Sequence, residues 1–252
     1  MKLAIFGGTG YVGQELVPMA LDHGHELRLL VRNPGKLDLS GPAVEVVTGD
    51  ALDIGAVTRT VAGCAAVLST LGGYRGTLSL DEGTANILAA MRASNVDRLV
   101  AVQGFHLTFP GDPNNLGKHI VSAFLVLRSP SLVRRSRALG FMLQRTHDID
   151  WTLVRVPRVV DGSPTQAARS GSLRLGPSSS VTRGDVVALM LDALENRSLV
   201  HASPMVSSSP RRAARLSPRS SAPNRPAGQG PSGSMSHAAT SASRSPKDPA
   251  AA

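Results

Sequence analysis

The stretch that decides the fold is KLAIFGGTGYVGQELVPMALD, residues 2–22. An apolar run at its start predicts a buried strand, and apolar side chains at helical spacing near its end predict a helix. Between the two lie Gly7, Gly10 and Gly13, spaced three residues apart. At a strand-to-helix junction the first glycine permits a tight turn, the second lets the backbone approach a pyrophosphate, and the third lets the helix pack closely. The segment therefore predicts a nucleotide-binding turn, in which free N–H groups at the helix start face the phosphates.

The same alternation of strand and helix continues along residues 1–208. We predict strands at 2–6, 26–31, 44–48, 65–70, 99–102, 151–156 and 199–203. Helical spacing predicts helices over 12–20, 54–61, 80–91, 132–145 and after Thr182, which forms a capping box with Asp185. The stretches 104–118 and 157–181, which are rich in Gly and Pro, are expected to be irregular. This order predicts an α/β fold with a doubly wound parallel sheet, the NAD(P)-binding Rossmann fold.

The composition argues against several classes of protein. Hydrophobic residues make up 42% of the 252 residues, enough for a core, while aromatic residues at 3% argue against modules that stack nucleic-acid bases. The single cysteine, Cys64, excludes a disulfide framework and a cysteine-built metal site, and no metal is expected. No apolar run reaches the roughly 18 residues of a membrane span, and glycines follow the start too soon for a signal peptide. We therefore expect a cytoplasmic protein with no membrane partner.

The positive charge is concentrated in residues 209–252. The formal net charge is +9, and seven basic residues against one acid place six of these charges in that segment. The segment is rich in Ser, Pro, Ala and Arg and cannot bury enough apolar surface to offset its ordering entropy. An electrostatic arm for nucleic acid is one interpretation, and a solvated tail is the preferred one. We therefore predict one domain, 1–208, followed by a disordered tail, 209–252.

The end of the second predicted strand bears on the choice of nucleotide. NAD-selective Rossmann domains usually place Asp or Glu there, to bind the ribose hydroxyls. This strand instead ends in Val31-Arg32-Asn33. Arg32 and, one turn later, Lys36 are suited to pair with a 2′-phosphate, although a solvated strand end is the alternative interpretation. The sequence thus favours NADP(H) over NAD as the cofactor.

Two further strand ends carry candidate nucleotide contacts. Asp50 and Ala51 follow the third strand, where the carboxylate is placed to accept a hydrogen bond from the adenine amino group. Leu71 and Gly72 follow the fourth strand, where small residues let the backbone lie beside ribose and phosphate. Taken alone, Asp50 would more often be a turn former and the glycine part of an ordinary loop. Their position at the carboxyl ends of parallel strands is what favours binding.

Longer runs of the chain resemble a known family. They are GGTGYVGQ from position 7, LVRNPGK from 30, GDALD from 49, VAGCAAVLSTLGG from 61 and EGTANILAAMRASNVDRLVAV from 82. These runs are similar to atypical short-chain dehydrogenases/reductases of the NAD(P)H-binding, NmrA-like group, which includes NADPH-dependent flavin and biliverdin-IX-beta reductases. The resemblance covers roughly residues 1–205 and is weakest across 104–145.

The resemblance implies a set of cofactor contacts. In that family the nucleotide lies against the glycine loop, the arginine after the second strand, the aspartate after the third and the loop after the fourth. The matching positions are Gly7, Thr9, Gly10, Tyr11, Val12, Gly13, Arg32, Lys36, Asp50, Ala51, Leu71 and Gly72. The resemblance therefore implies an NADP(H)-binding oxidoreductase with a small-molecule substrate, and relatives of this size are often monomers.

The usual catalytic residues of short-chain dehydrogenases are missing. Neither tyrosine, Tyr11 or Tyr74, has the lysine four residues on that the Tyr-x-x-x-Lys pair requires. Gly104 stands where relatives carry a serine near the nicotinamide, and Met142 aligns where many carry a lysine. Polar side chains expected near the site are Tyr74, Gln103, His106 and Arg158, none of which is assigned as a proton donor. The catalytic residues stay unknown.

Two functions stay open at this point. The first is an NADPH-dependent reductase that transfers hydride to a flavin- or quinone-like acceptor, which needs no protein acid because solvent supplies the proton. The second is a non-catalytic NADP-binding sensor or regulator of the NmrA-like kind. The missing Tyr-x-x-x-Lys pair favours the sensor, and the short C-terminal region favours the reductase.

Overall fold

Strands and helices alternate along the chain, as the sequence predicts. The computed structural model describes residues 1–36, 41–72, 80–165 and 168–208, and the predicted tail, 209–252, lies outside them. The strands are β1 (Lys2–Phe6), β2 (Glu26–Val31), β3 (Val44–Thr48), β4 (Ala66–Ser69), β5 (Arg98–Gly104), β6 (Asp150–Val156), β7 (Arg158–Val160), β8 (Arg169–Gly171), β9 (Ser180–Thr182) and β10 (Met205–Ser207). The helices are α1 (Gly13–Asp22), α2 (Ile54–Val61), α3 (Asp81–Ala93), α4 (Leu116–Arg128), α5 (Pro130–Gln144) and α6 (Arg183–Glu195).

Eight of these strands form one sheet in the order β3-β2-β1-β4-β5-β6-β10-β8. All neighbours from β3 to β10 are parallel, and β8 pairs antiparallel with β10 at the edge. The short strands β7 and β9 pair with each other in a separate ribbon. The chain runs outward from β1 to β3 and then crosses back to β4, so the strand order reverses beside β1. This is the doubly wound Rossmann order that the sequence predicts, and its ligand crevice lies at that reversal.

Both faces of the sheet are buried under helices. In β1, Leu3 and Ile5 face α1 and α6, while Ala4 and Phe6 face α2, α3 and α5. All four side chains are fully buried. A parallel strand covered on both sides reads as a continuous apolar run, which is why this segment is recognisable from sequence.

Side chains that cap helix starts mark where the chain leaves the sheet. The Asp53 carboxylate accepts from the N–H groups of Gly55 and Ala56, at 2.9 and 3.2 Å, and starts α2. The Thr182 hydroxyl accepts from the Asp185 N–H at 3.1 Å, so this half of the predicted capping box is confirmed. The return bond is different, because the Asp185 carboxylate accepts the N–H of Thr165 at 2.6 Å rather than that of Thr182.

Three sequence expectations about elements are wrong. The last strand is β10 and not 199–203, because a 3-10 turn at Arg197–Leu199 and a left-handed His201, at φ +55°, occupy that stretch. The irregular stretch 157–181 contains β7, β8 and the start of β9. The predicted loop 104–118 gives way to α4 at Leu116. Helix α4 has exposed apolar side chains, Leu116, Ile120 and Phe124 among them, so no apolar face directed to the core announces it.

The described part of the chain has no helix long and apolar enough to cross a bilayer. The same residues hold no group of three or more His, Cys, Asp and Glu side chains that could bind a metal ion. Cys64 is buried, its thiol donates to the Thr60 carbonyl at 3.4 Å, and burial raises the pKa of that thiol. Cys64 is therefore a core residue in this fold.

Candidate functional site

The candidate site lies along the edge where the parallel strands end. Strand register aligns Phe6 of β1 with Leu30 of β2 and Ser69 of β4, and it aligns Gly104 of β5 with Val156 of β6. The glycine turn and the loops that leave β2, β3, β4 and β5 therefore start side by side. Ligands of open parallel sheets bind in the crevice outside these strand ends.

The glycine turn is packed so tightly that side chains are excluded from it. Gly7 has φ +82°, and a Cβ there would lie 2.7 Å from the Thr70 hydroxyl. A Cβ on Gly13 would lie 2.1 Å from the Gly7 carbonyl oxygen, which also accepts the Gly10 N–H at 2.9 Å. A Cβ on Gly10 would lie 3.1 Å from that same oxygen. The lack of a side chain at Gly10 therefore avoids crowding inside the turn and also leaves the outer surface of the turn open.

The outer side of this turn fits a phosphate group. Gly10 and Tyr11 are exposed, and α1 starts after Val12 without any side-chain cap. The first N–H groups of an uncapped helix and its dipole favour a bound anion. Thr9 lies half-buried between Gly8 and Gly10 at the start of this open surface.

A cluster from a distant part of the chain closes one side of the turn. The Tyr11 hydroxyl donates to the Asp161 carboxylate at 3.1 Å, and partial desolvation together with this bond raises the pKa of Tyr11. The Arg183 guanidinium lies 4.8 Å from the Tyr11 ring centroid and pairs with Asp161 at 3.0 Å. Arg183 also lies 4.0 Å from Glu15, the acid in the first turn of α1. This arginine therefore offsets the negative charge beside the open helix start.

Arg32 and Asp50 lie next to each other at the ends of β2 and β3. The Arg32 Nε is 3.8 Å from an Asp50 carboxylate oxygen, and 72% of the Arg32 side chain is exposed. The other Asp50 oxygen accepts the Leu52 N–H at 2.9 Å, so Asp50 also forms the turn. Lys36 ends a 3-10 turn at Pro34–Lys36, and its side chain lies outside the described residues. The exposed Arg32 side chain can therefore change its rotamer and bind a ligand at this edge.

The loops after β3 and β4 each contain a residue that packs toward the core. Ala51 is 5% exposed and its carbonyl accepts the Asn86 amide at 2.9 Å, so its side chain packs under the loop. Leu71 packs against the core and Gly72 has φ +147°, a conformation that favours glycine. A Cβ on Gly72 would be 3.9 Å from the Gln103 side-chain nitrogen. Tyr74 lies outside the described residues.

The end of β5 holds two unusual side chains around Gly104. Gln103 is 7% exposed, its oxygen accepts the Gly104 N–H at 2.8 Å, and its buried Nε2 has no hydrogen-bond partner among the described residues. A Cβ on Gly104 would lie 2.5 Å from His106 Nδ1 and 2.8 Å from Cε1. The imidazole of His106 therefore occupies the space of the side chain that position 104 lacks. Within the part of the chain that the structure describes, the buried His106 Nε2 also has no partner.

A buried ion cluster holds the loop after β5. The Asp112 carboxylate accepts from the Arg155 guanidinium through both oxygens at 2.6 Å, from Lys118 Nζ at 2.8 Å and from the Phe109 N–H at 2.9 Å. Arg155 also donates to the Leu107 and Ser203 carbonyls. These bonds connect the loop after β5 to β6. The bond from Arg155 to the Ser203 carbonyl also connects β6 to the segment that precedes β10.

The charges of this cluster act on the acid–base behaviour of the loop. Burial raises the pKa of Asp112, but the hydrogen bonds from Arg155, Lys118 and the Phe109 N–H outweigh it and lower that pKa to about 2. Burial lowers the pKa of His106 to about 4, helped by the positive charges of Lys118 and Arg137. His106 is therefore neutral at physiological pH.

The other two candidate side chains, Arg158 and Met142, lie in different elements of the fold. Arg158 starts β7 and is exposed. Met142 is partly buried and packs against the core in α5. Sequence reasoning names Gln103 and His106 without a role, and it misses Arg183 and the Asp112 cluster. An available signal was Arg155, a charged residue between Val154 and Val156 in β6.

Comparisons with known proteins agree with this architecture. Residues 7–197 match the NAD(P)H-binding family. Over 113 residues the chain is 34% identical to a 3-beta-hydroxysteroid dehydrogenase of Mycolicibacterium neoaurum, and 32% identical to a 3 beta-hydroxysteroid dehydrogenase/Delta 5-->4-isomerase of Mycobacterium tuberculosis H37Rv. These alignments cover 39% of this chain and only 31% and 30% of the two relatives.

Solved structures show the same fold over most of the chain. The anaerobilin reductase ChuY of Escherichia coli O157:H7 superimposes with a TM-score of 0.68 at 18% identity, over 82% of this chain and 96% of that one. A short-chain dehydrogenase/reductase of Veillonella parvula superimposes with a TM-score of 0.67 at 18% identity, over 81% and 93%. Both have the Rossmann architecture described above.

Proposed function

We propose, from the premise that the chain belongs to the NAD(P)H-binding family, that it is an NADPH-dependent reductase of a small conjugated acceptor, flavin-like or quinone-like. The observation that carries the proposal is the geometry of the glycine turn. Its interior is too tightly packed for side chains, its outer surface is exposed, and the exposed Arg32 lies at the same sheet edge. The end of β2 offers a cation and no carboxylate to the nucleotide, which favours the 2′-phosphate of NADPH.

The residues present divide the work of holding the cofactor. The glycine turn and the start of α1 would hold the pyrophosphate, Arg32 the 2′-phosphate and Asp50 the adenine side. The loop at Leu71 and Gly72 would lie beside the ribose. When bound, the reduced nicotinamide supplies a hydride, which is two electrons and one proton, and a second proton from water completes the reduction of the acceptor. The protein's part is to hold donor and acceptor in contact.

A sensor without turnover is the second candidate, and one observation favours it. Lys118, in the helix that follows β5, is fixed in the Asp112 ion pair, and Asn114 stands four residues before it where a catalytic tyrosine would be needed. The Tyr-x-x-x-Lys pair is therefore absent from this helix. A sensor would bind NADPH and leave it reduced.

The experiment that separates the two is a titration followed by turnover. The purified protein is titrated with NADPH and with NADH by nucleotide fluorescence, and FMN, menadione or a steroid ketone is then added to the NADPH complex. The steroid ketone is included because of the hydroxysteroid dehydrogenase relatives. Oxidation of NADPH above the rate without protein supports the reductase. Tight binding without oxidation by any acceptor favours the sensor, and no binding of either nucleotide contradicts both.

A further inference from the structure

The end of β5 shows a replacement of one side chain by another. Gly104 has no side chain, and the place where its Cβ would stand is 2.5 Å from Nδ1 of His106. The imidazole therefore fills the volume next to the backbone that a larger residue at position 104 would occupy. With a glycine here, a group two residues further along the chain reaches the strand end.

Two buried nitrogens next to this glycine have no partner within the described residues. They are Nε2 of Gln103 and Nε2 of His106. A buried nitrogen without a hydrogen bond destabilises the fold, so a ligand atom that accepts from it is stabilised. Gln103 Nε2 is also 3.9 Å from the position of a Cβ on Gly72, in the loop that would flank the nicotinamide ribose. Both side chains belong to the carboxyl end of β5, at the sheet edge where acceptor and cofactor would meet.

The surroundings of His106 keep its ring in one charge state. Lys118 and Arg137 are the cations that act on it, and Asp112 is committed to Arg155 and Lys118. A neutral imidazole presents one N–H donor, and a glutamine amide always presents its NH₂ group. Neither side chain transfers a proton at neutral pH. Each can donate one hydrogen bond to a ligand, Gln103 from its NH₂ group and His106 from Nε2 in the tautomer that carries its hydrogen there.

We propose that Gln103 and His106 form a subsite that binds a carbonyl oxygen of the acceptor. The proposal rests on the proposed function and deepens it by assigning the chemical class of the ligand: a conjugated carbonyl or imide whose oxygen gains negative charge. When hydride adds to the conjugated system, the electron pair moves onto this oxygen, and the two N–H donors stabilise it until water supplies the proton.

Matched variants test the subsite in the full-length protein. His106→Phe and Gln103→Leu each remove one donor. His119→Phe is the control, since the exposed ring of His119 on α4 bonds to the neighbouring Asn114 at 3.2 Å. With menadione and FMN as acceptors, we expect kcat to fall about 100-fold in each donor variant, the scale for losing one oxyanion donor. NADPH affinity is expected to stay within about twofold, which checks that the fold persists, and His119→Phe is expected to match the unmodified protein.

A binding measurement tests the subsite without relying on turnover. FMN is titrated into the NADP⁺ complex, and its fluorescence quenching gives a Kd for the protein and each variant. We expect His106→Phe to weaken FMN binding about tenfold and His119→Phe to leave it unchanged. Gly104→Ala keeps His106 but places a methyl group where the imidazole lies, so it is expected to weaken FMN as His106→Phe does.

The outcomes separate the two proposals. Turnover by the unmodified protein together with unchanged kcat in His106→Phe overturns the subsite and leaves the reductase standing. No turnover, with FMN binding that depends on His106, overturns the reductase and supports the subsite as a carbonyl site of a sensor. If FMN binds neither the protein nor its variants and no acceptor oxidises NADPH, both proposals fall.

Discussion

The β2 end and the β6 end of the same sheet edge hold an arginine–aspartate pair in opposite ways. At the β2 end, the Arg32 side chain is 72% exposed and its Nε lies 3.8 Å from Asp50. At the β6 end, the Arg155 side chain is 3% exposed and lies 2.6 Å from Asp112. The exposed pair contributes little to stability and is free to exchange one partner for a ligand. The buried pair has lost its water and lies beside Lys118, so removing Asp112 would leave two buried cations unpaired, and removing Arg155 would take away the two-point partner of Asp112.

The largest expected effect comes from breaking the buried pair. Arg155→Met keeps the approximate side-chain volume but leaves Asp112 with only Lys118 and the Phe109 N–H, and it removes the donor to the Leu107 and Ser203 carbonyls. We expect it to lower the free energy of unfolding by about 3–5 kcal/mol. Arg32→Met, the matched change at the exposed end, is expected to change it by less than about 0.5 kcal/mol. Urea unfolding of both variants measures the difference. Equal losses would show that the two ends are energetically alike.

The second prediction concerns pH at the β5–β6 end. Because burial lowers the pKa of His106 to about 4, the folded protein binds fewer protons than the unfolded chain between about pH 6.5 and pH 4. Its stability is therefore full above about pH 6.5, falls as the pH drops toward 4 by up to about 3 kcal/mol, and is not lowered further by this group below that. His106→Gln is expected to flatten this window. Unfolding midpoints measured across the pH range check it, and an unchanged slope in the variant would exclude His106 as the cause.

The third prediction concerns the packing of the glycine turn. Gly13→Ala would bring a Cβ to 2.1 Å from the Gly7 carbonyl oxygen, whereas a Cβ on Gly41 would have no atom of the described residues within 4 Å. Because the clash is with backbone, we expect Gly13→Ala to destabilise the fold by about 1–3 kcal/mol and to weaken NADPH, with Gly41→Ala near neutral. Thermal unfolding and nucleotide titration measure both effects. Wild-type NADPH affinity in Gly13→Ala would contradict the placement of the nucleotide at this turn.

The smallest expected effect on the fold is also the most specific for the cofactor. Arg32→Ala should leave the unfolding curve unchanged and weaken NADPH about 10- to 100-fold, the range for losing hydrogen bonds to a charged phosphate, while NADH changes by about twofold or less. Fluorescence titration with both nucleotides gives the ratio. If both weaken equally, Arg32 does not select the 2′-phosphate.

Much of the fold could be predicted because its determinants are local. An apolar strand such as Lys2–Phe6, a glycine turn and an amphipathic helix are each encoded within a few residues. Helix α4 could not be predicted in this way, since it leaves Leu116, Ile120 and Phe124 exposed and has no core-facing pattern. Strand β10 was misplaced by a few residues, because its position depends on pairing Met205 with Arg155 of a strand 50 residues earlier.

The candidate site likewise has one part that the sequence predicts and another part that depends on tertiary contacts. The sequence by itself determined the glycine turn and the positions of Arg32, Asp50 and Gly72, because strand ends in a parallel sheet follow from the order of strands and helices. Only the tertiary structure decided that Arg183 closes the turn, that Asp112 binds Arg155, and that the ring of His106 fills the space beside Gly104. These contacts join residues whose distance in sequence carries no period or motif. Burial and desolvation, which set their chemistry, exist only once the chain has folded.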